Sequence, residues 1–129
     1  MDFRKILDED FVNINNVIKD TQYNGCEYSK IYLKSWPFFS YNDIEIAYEN
    51  DIIYLRFYPA KKYIKNNEKI RYYFCPVTQK NRIVEGIKNI EAQCNCDGEK
   101  MIVVNMPQEY VDLLDLDNYY LYDDINYQE

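Results

Sequence analysis

The chain has no histidine among its 129 residues, so neither a Ser–His nor a Cys–His nucleophilic pair can be assembled within one polypeptide. Glycine is nearly as scarce, at three residues, and glycine is what lets a backbone loop close in on phosphate oxygens. No apolar run approaches the roughly 20 residues of a membrane-spanning helix, and the opening MDFRKILDED carries charge where a signal peptide needs apolar residues. The expected location is the cytoplasm. Scarce glycine beside abundant Asn, Ile, Lys and Tyr is what AT-rich codons supply. A low-G+C bacterium is therefore the expected source, and the fifteen tyrosines reflect genome composition before function.

What is present suits one core. At 129 residues and 47% hydrophobic content the chain is long enough for a domain that buries roughly two-thirds of its unfolded surface, and too short for two. The four cysteines, Cys26, Cys75, Cys94 and Cys96, lack the paired short spacing of a tetrahedral zinc site. They read as reduced thiols: Cys75 in a strand core, Cys94 on the apolar face of a helix, and Cys96 in the turn beside Asp97-Gly98. No metal is expected.

The net charge of −7 conceals a polarity. Arg56, Lys61, Lys62, Lys65, Lys69, Arg71, Lys80, Arg82 and Lys88 face only Glu68 and Glu85 in that stretch, while no basic residue follows Lys100 and seven acids do. The basic stretch offers an anion patch near the loop Pro59 to Glu68. The plainer reading is a solvated loop and an acidic surface that complement each other within or between molecules. Overall acidity sets phosphate repulsion against nucleic-acid binding.

Periodicity supplies the elements. Asp8 to Lys19 places Phe11, Ile14 and Ile18 on one helical face, with acids at its start where the helix dipole favours them. After the Asn24-Gly25 turn, Tyr28, Ile31, Tyr32, Ser35 and Trp36 recur at helical spacing until Pro37 stops them. Ile44, Ile46, Tyr48 and then Ile53, Leu55, Phe57 alternate as strands joined at Glu49-Asn50-Asp51. The Lys- and Asn-rich Ala60 to Asn67 reads as a mobile loop. Ile70 to Val77 reads as a strand, Gln79 to Cys94 as a helix with Thr78 as its N-cap, and Met101 to Asn105 as a strand. Pro107 to Leu116 reads as a helix burying Tyr110, Leu113 and Leu114. The fold class is α+β, a mixed, largely antiparallel sheet flanked by helices, with residues 1–129 as a single domain.

A short helix ending in Trp36, the hairpin Ile44 to Phe57, the aromatic strand Tyr72-Tyr73-Phe74 and the helix start Pro107-Gln108-Glu109 carry a resemblance. In that order they resemble the first half of the phosphatidylglycerol lysyltransferase C-terminal domain-like family. The resemblance implies the acyl-CoA N-acyltransferase fold, of which the family carries two tandem copies, and this sequence matches the first. In the family, a segment like Tyr119 to Tyr127 leads into a basic, Asn-containing second half that is expected to hold the active site. That half is not in this sequence. A lone copy is expected to expose the surface its twin covers, which implies a homodimer or another protein partner.

Acyltransferases of this fold hold the CoA pyrophosphate on backbone N–H groups at a helix start, in an Arg/Gln-x-x-Gly-x-Gly/Ala loop. The corresponding stretch here is PVTQKNRIVEG, residues 76–86, with no glycine before Gly86. Side chains of Thr78, Gln79, Lys80 and Arg82 remain as an anion- or cofactor-binding candidate, with CoA as the ligand. Trp36, Tyr54 and Tyr72, with Tyr58 and Tyr73 nearby, are candidates for an aromatic groove, although alternating aromatics more often pack a sheet face. Glu27, Glu45, Asp123 and Asp124 are the available acids for proton transfer, each also readable as a solvated surface residue. No carboxylate spacing supports glycoside hydrolysis. The expected function is a non-catalytic, acyltransferase-like binding or scaffold domain without a cofactor. The alternative is a small aminoacyl- or acyltransferase using aminoacyl-tRNA or acyl-CoA, the one case in which tRNA would be a partner.

Overall fold

The fold is built on a turn that the sequence makes in two residues. Asn50 and Asp51 both adopt left-handed backbone angles, φ 51° and 65°, the conformation that a tight hairpin between right-twisted strands requires and that Asn and Asp tolerate. It joins β2 (Glu45–Glu49) to β3 (Ile52–Phe57) and fixes their register, with Glu45 opposite Arg56 and Ala47 opposite Tyr54. The computed structural model describes residues 1–21, 43–58, 69–104 and 106–114. The expectations for Cys26, Glu27, the Trp36 helix, the loop Ala60 to Asn67, and Asp115 onward fall outside these residues.

Around that hairpin the described strands form a five-stranded sheet in the order β1-β2-β3-β4-β5. β1 (Arg4–Lys5) and β4 (Ile70–Phe74) join antiparallel, and β5 (Lys100–Val104) pairs parallel to β4. A parallel pair cannot be joined by a tight turn, and α2 (Ile83–Asp97) makes the crossover between β4 and β5. The sheet is thus mixed and largely antiparallel, and the class is α+β.

Each face of the sheet has its own core. α1 (Asp8–Thr21) sets Phe11 and Ile14 against Ile44, Ile46, Ile53, Leu55, Phe57 and Phe74 on one face. On the other, α2 presents Ile83, Ile87, Ile90 and Cys94 to Ile52, Tyr54, Tyr73 and Cys75. Tyr110, from the short helix α3 (Gln108–Val111), joins this second cluster. β3 is buried on both sides along most of its length, as the central strand of three layers should be.

Four boundaries differ from expectation. β4 stops at Phe74 because Pro76 has no N–H to continue the ladder; Cys75 still donates to Val104 at 2.9 Å, and Val77 forms an isolated bridge with Ile53. Thr78 does not cap the next helix: it is buried, and a 3-10 turn at Lys80–Arg82 displaces the start of α2 to Ile83, with no side-chain cap bond at either start. Cys96 lies in the last turn of α2, exposed, and not in the following turn. Leu113 is exposed because α3 ends at Val111, which takes the buried position beside Tyr110.

Candidate functional site

Register places charge at one end of the α2-side face. Glu45 and Arg56 are directly opposed across β2 and β3, and the Arg56 Nε donates to Glu45 Oε1 at 2.8 Å. Arg71 of β4 points to the same face and donates through Nη1 to that same oxygen at 2.9 Å. From the far side comes Glu99, delivered by the turn that ends α2. Gly98 takes φ 68°, and Glu99 N–H closes back on the Cys94 carbonyl at 2.9 Å, the reversal that ends many helices. The Glu99 side chain is only 5% exposed and its Oε2 accepts from Arg71 Nη2 at 3.4 Å and from the Tyr58 hydroxyl.

Two aromatic rings complete the arrangement. The Arg71 guanidinium carbon lies 3.6 Å from the centroid of the Tyr58 ring, and that of Arg56 lies 3.6 Å from the centroid of Phe3. Stacking of this kind favours arginine, whose planar cation is weakly hydrated. Arg56 Nη1 also donates to the Tyr73 hydroxyl at 3.2 Å and approaches Asp97 Oδ2 at 3.5 Å. An open cleft of about 480 Å³ lies over the assembly, lined by Arg56, Tyr58, Lys69, Ile70, Arg71, Asp97 and Glu99.

This network is incompletely satisfied. Arg71 Nε and Glu99 Oε1 are both buried, and neither has a hydrogen-bond partner among the described residues. Leaving such a donor or acceptor unmade costs about 1–3 kcal/mol, more for charged groups, so the two orphans mark where the packing is not self-sufficient. Burial works against the Arg71 charge, but Tyr58, Glu99 and Glu45 outweigh it and hold the guanidinium pKa above its ordinary value. Burial together with the Glu99 contact raises that of Tyr58. Burial likewise pushes the Tyr73 hydroxyl up to about 12 and raises the Cys94 thiol, which favours the protonated form of each.

The residues singled out from sequence fall elsewhere. Gln79 and Lys80 are exposed, Thr78 is buried, and the two cations have carboxylate neighbours: Lys80 Nζ lies 3.9 Å from Glu109, and Arg82 Nη2 bonds Glu85 at 2.9 Å. Gly86 sits inside α2, where an added Cβ would lie 3.0 Å from the Cβ and Cγ of Pro76. Its bareness serves helix-to-loop packing.

Tyr54 and Tyr72 do not share a groove. Tyr54 is fully buried on the α2 side, its hydroxyl accepting from Asn89 at 2.9 Å, whereas Tyr72 lies on the α1 side, stacked on Phe57 at 5.3 Å. Trp36 is outside the described residues. Of the aromatic candidates, Tyr58 lines the cleft and Tyr73 lies beneath Arg56. Of the candidate acids, Glu45 bridges both arginines. Arg71 was visible only as one cation of the basic stretch and Glu99 not at all, since their meeting depends on the β4–β5 pairing.

Comparison with protein-family models, curated proteins and solved structures gave no match. Among the described residues, no group of three or more His, Cys, Asp or Glu is placed to hold a metal ion, and no helix is long and apolar enough to cross a membrane.

Proposed function

We propose that this chain is a non-catalytic binding or scaffold domain with an acyl-CoA N-acyltransferase-like fold, similar to the first half of the phosphatidylglycerol lysyltransferase C-terminal domain-like proteins. The order of described elements, with one parallel pair bridged by α2, supports the fold assignment. One observation carries the functional part: the stretch where such an enzyme would cradle pyrophosphate is a 3-10 turn, its cations lie beside Glu109 and Glu85, and its sole glycine is packed on Pro76. A backbone cradle needs open N–H groups approached without side chains. Here Lys80, Asn81 and Arg82 carry side chains at positions where glycine would leave the backbone bare.

We place the protein in the cytoplasm, in keeping with free thiols at Cys75, Cys94 and Cys96, and assign it a second copy of itself as partner. The basic stretch from Arg56 to Lys88 and the acidic residues after Lys100 give a reason for association weakened by salt.

The test is isothermal titration with CoA, acetyl-CoA and an aminoacyl-tRNA, with light scattering on the same sample at low and high salt. The expected result is no heat from any donor and a dimeric mass that falls as salt rises. Saturable one-to-one binding that disappears in a Lys80→Ala/Arg82→Ala variant would replace this reading with the alternative, a small acyl- or aminoacyltransferase.

A further inference from the structure

The lining of the cleft carries both signs of charge, and both are left partly unused. Lys69 is exposed at its rim with no ion pair among the described residues, while Asp97, exposed, accepts from the Gln93 amide at 3.1 Å and has only the long 3.5 Å contact with Arg56 as an ion pair. Beneath them, Arg71 keeps an unmade donor at Nε and Glu99 an unmade acceptor at Oε1, each on a side chain more than nine-tenths buried. An anion alone would answer Lys69 and Arg71 but lie against two carboxylates. A cation alone would meet the reverse. A ligand with both charges answers all four.

The spacing narrows the class. Arg71 Nη2 and Glu99 Oε2 are 3.4 Å apart, so the two side chains that carry the unmade donor and the unmade acceptor lie side by side. The opposite charges of the ligand must be equally close, as they are across the single carbon of an α-amino acid. We propose that this cleft binds a free α-amino acid, its carboxylate taken by Arg71 and Lys69 and its ammonium by Glu99 and Asp97. Tyr58 is the cover. Its ring lies over Arg71 and its hydroxyl occupies Glu99, so the ligand ammonium enters by displacing that hydroxyl, and the half-exposed ring swings aside to admit it.

The inference rests on the binding-module reading, but the two fail separately. CoA binding lost on changing Lys80 and Arg82 would overturn that reading and leave the cleft untouched, whereas absent amino-acid binding overturns this inference alone.

The experiment is titration of the full chain, ¹⁵N-labelled, with each of the common L-amino acids. Comparators are N-acetyl-L-alanine, L-alaninamide, 6-aminohexanoic acid and inorganic phosphate. At least one α-amino acid should give saturable shifts at the amides of Tyr58, Lys69, Arg71 and Glu99. Derivatives lacking either charge, or with the charges far apart, should bind at least about tenfold more weakly, the equivalent of one lost charged contact. Lys69→Ala and Asp97→Asn should each weaken binding without unfolding the chain, because Lys69 is exposed and an acid at the C-terminal end of α2 opposes the helix dipole. Tyr58→Phe keeps the ring and releases Glu99, and should tighten binding. Silence from every amino acid up to about 10 mM, a range that captures even millimolar affinity, would overturn the proposal. So would phosphate binding as well as the amino acids, or weaker binding on Tyr58→Phe.

Discussion

Asp10 receives both terminal nitrogens of Arg4, at 2.7 and 2.8 Å, and so ties the first strand to the first helix. The same carboxylate accepts the Leu7 N–H at 2.7 Å, the back-reach of a capping box, and the Tyr48 hydroxyl at 2.7 Å. Burial alone would raise the pKa of Asp10, but the bonds from Arg4, Tyr48 and Leu7 outweigh it and hold the carboxyl below its ordinary value. A group whose folded pKa is depressed contributes fully above its unfolded value, about 4, and loses that contribution as pH falls through the lower folded value. Urea midpoints should therefore drop below about pH 4, and Asp10→Ala should flatten that part of the profile. At neutral pH the substitution should cost about 2 kcal/mol, discounted because Arg4 is half-exposed and can return to water.

Gly86→Ala sets helix propensity against space. Alanine gains about 1 kcal/mol in a helix interior, but its Cβ would lie 3.0 Å from two atoms of Pro76. Pro76 cannot easily yield, since Cys75 is bonded to Val104 on one side and Val77 to Ile53 on the other. Overpacking costs about 1–3 kcal/mol, so the net effect should be destabilising by about 1 kcal/mol. A urea midpoint above wild type would show that the loop gives way.

Gly98→Ala should cost about 1–2 kcal/mol from left-handed strain alone, since nothing lies within 4 Å of the position a Cβ would take. Gly98→Asn should recover much of the loss. Equal melting temperatures for wild type and Gly98→Ala would refute the account of this turn.

Tyr73 should make the protein sensitive to alkali. Its hydroxyl stays protonated to about 12 in the fold and ionises near 10 when unfolded. Its contribution is therefore complete below about pH 10 and is lost between there and about 12. Arg56 and the Cys94 thiol are the groups facing it. Tyr73→Phe should shallow the fall in stability across that window, read by chemical denaturation at successive pH values.

The two strands of the hairpin were legible, with Ile44, Ile46, Ile53, Leu55 and Phe57 sharing one buried face. The turn was expected over Glu49-Asn50-Asp51, but Glu49 pairs with Ile52 in the ladder, and it is the shorter turn at Asn50-Asp51 that sets Glu45 opposite Arg56. The Phe11, Ile14, Ile18 face of α1 and the Ile83, Ile87, Ile90, Cys94 face of α2 were likewise plain, because one side of each helix meets a sheet. What escaped was non-local. Whether Tyr54 and Tyr72 share a face depends on the register of β3 with β4, and Arg71 meets Glu99 only through a parallel pairing that spans α2. Local propensity also missed the 3-10 turn, where the chain tightens before α2 and leaves Thr78 buried short of the helix start.

The parallel pairing of β4 with β5 also predicts an order of folding events. The hairpin β2–β3 and the helices rest on near neighbours and can form early, whereas β5 must wait for β4 and α2 to close a long loop. The cations of the cleft come from β3, β4 and the residue before β4, and its acids from the end of α2 and the residue after Gly98. A chain halted before that last strand docks has the arginines without Glu99. Occupancy of the cleft therefore requires Glu99 to be in place beside β5, and any ligand held there favours the closed sheet over arrangements that lack it.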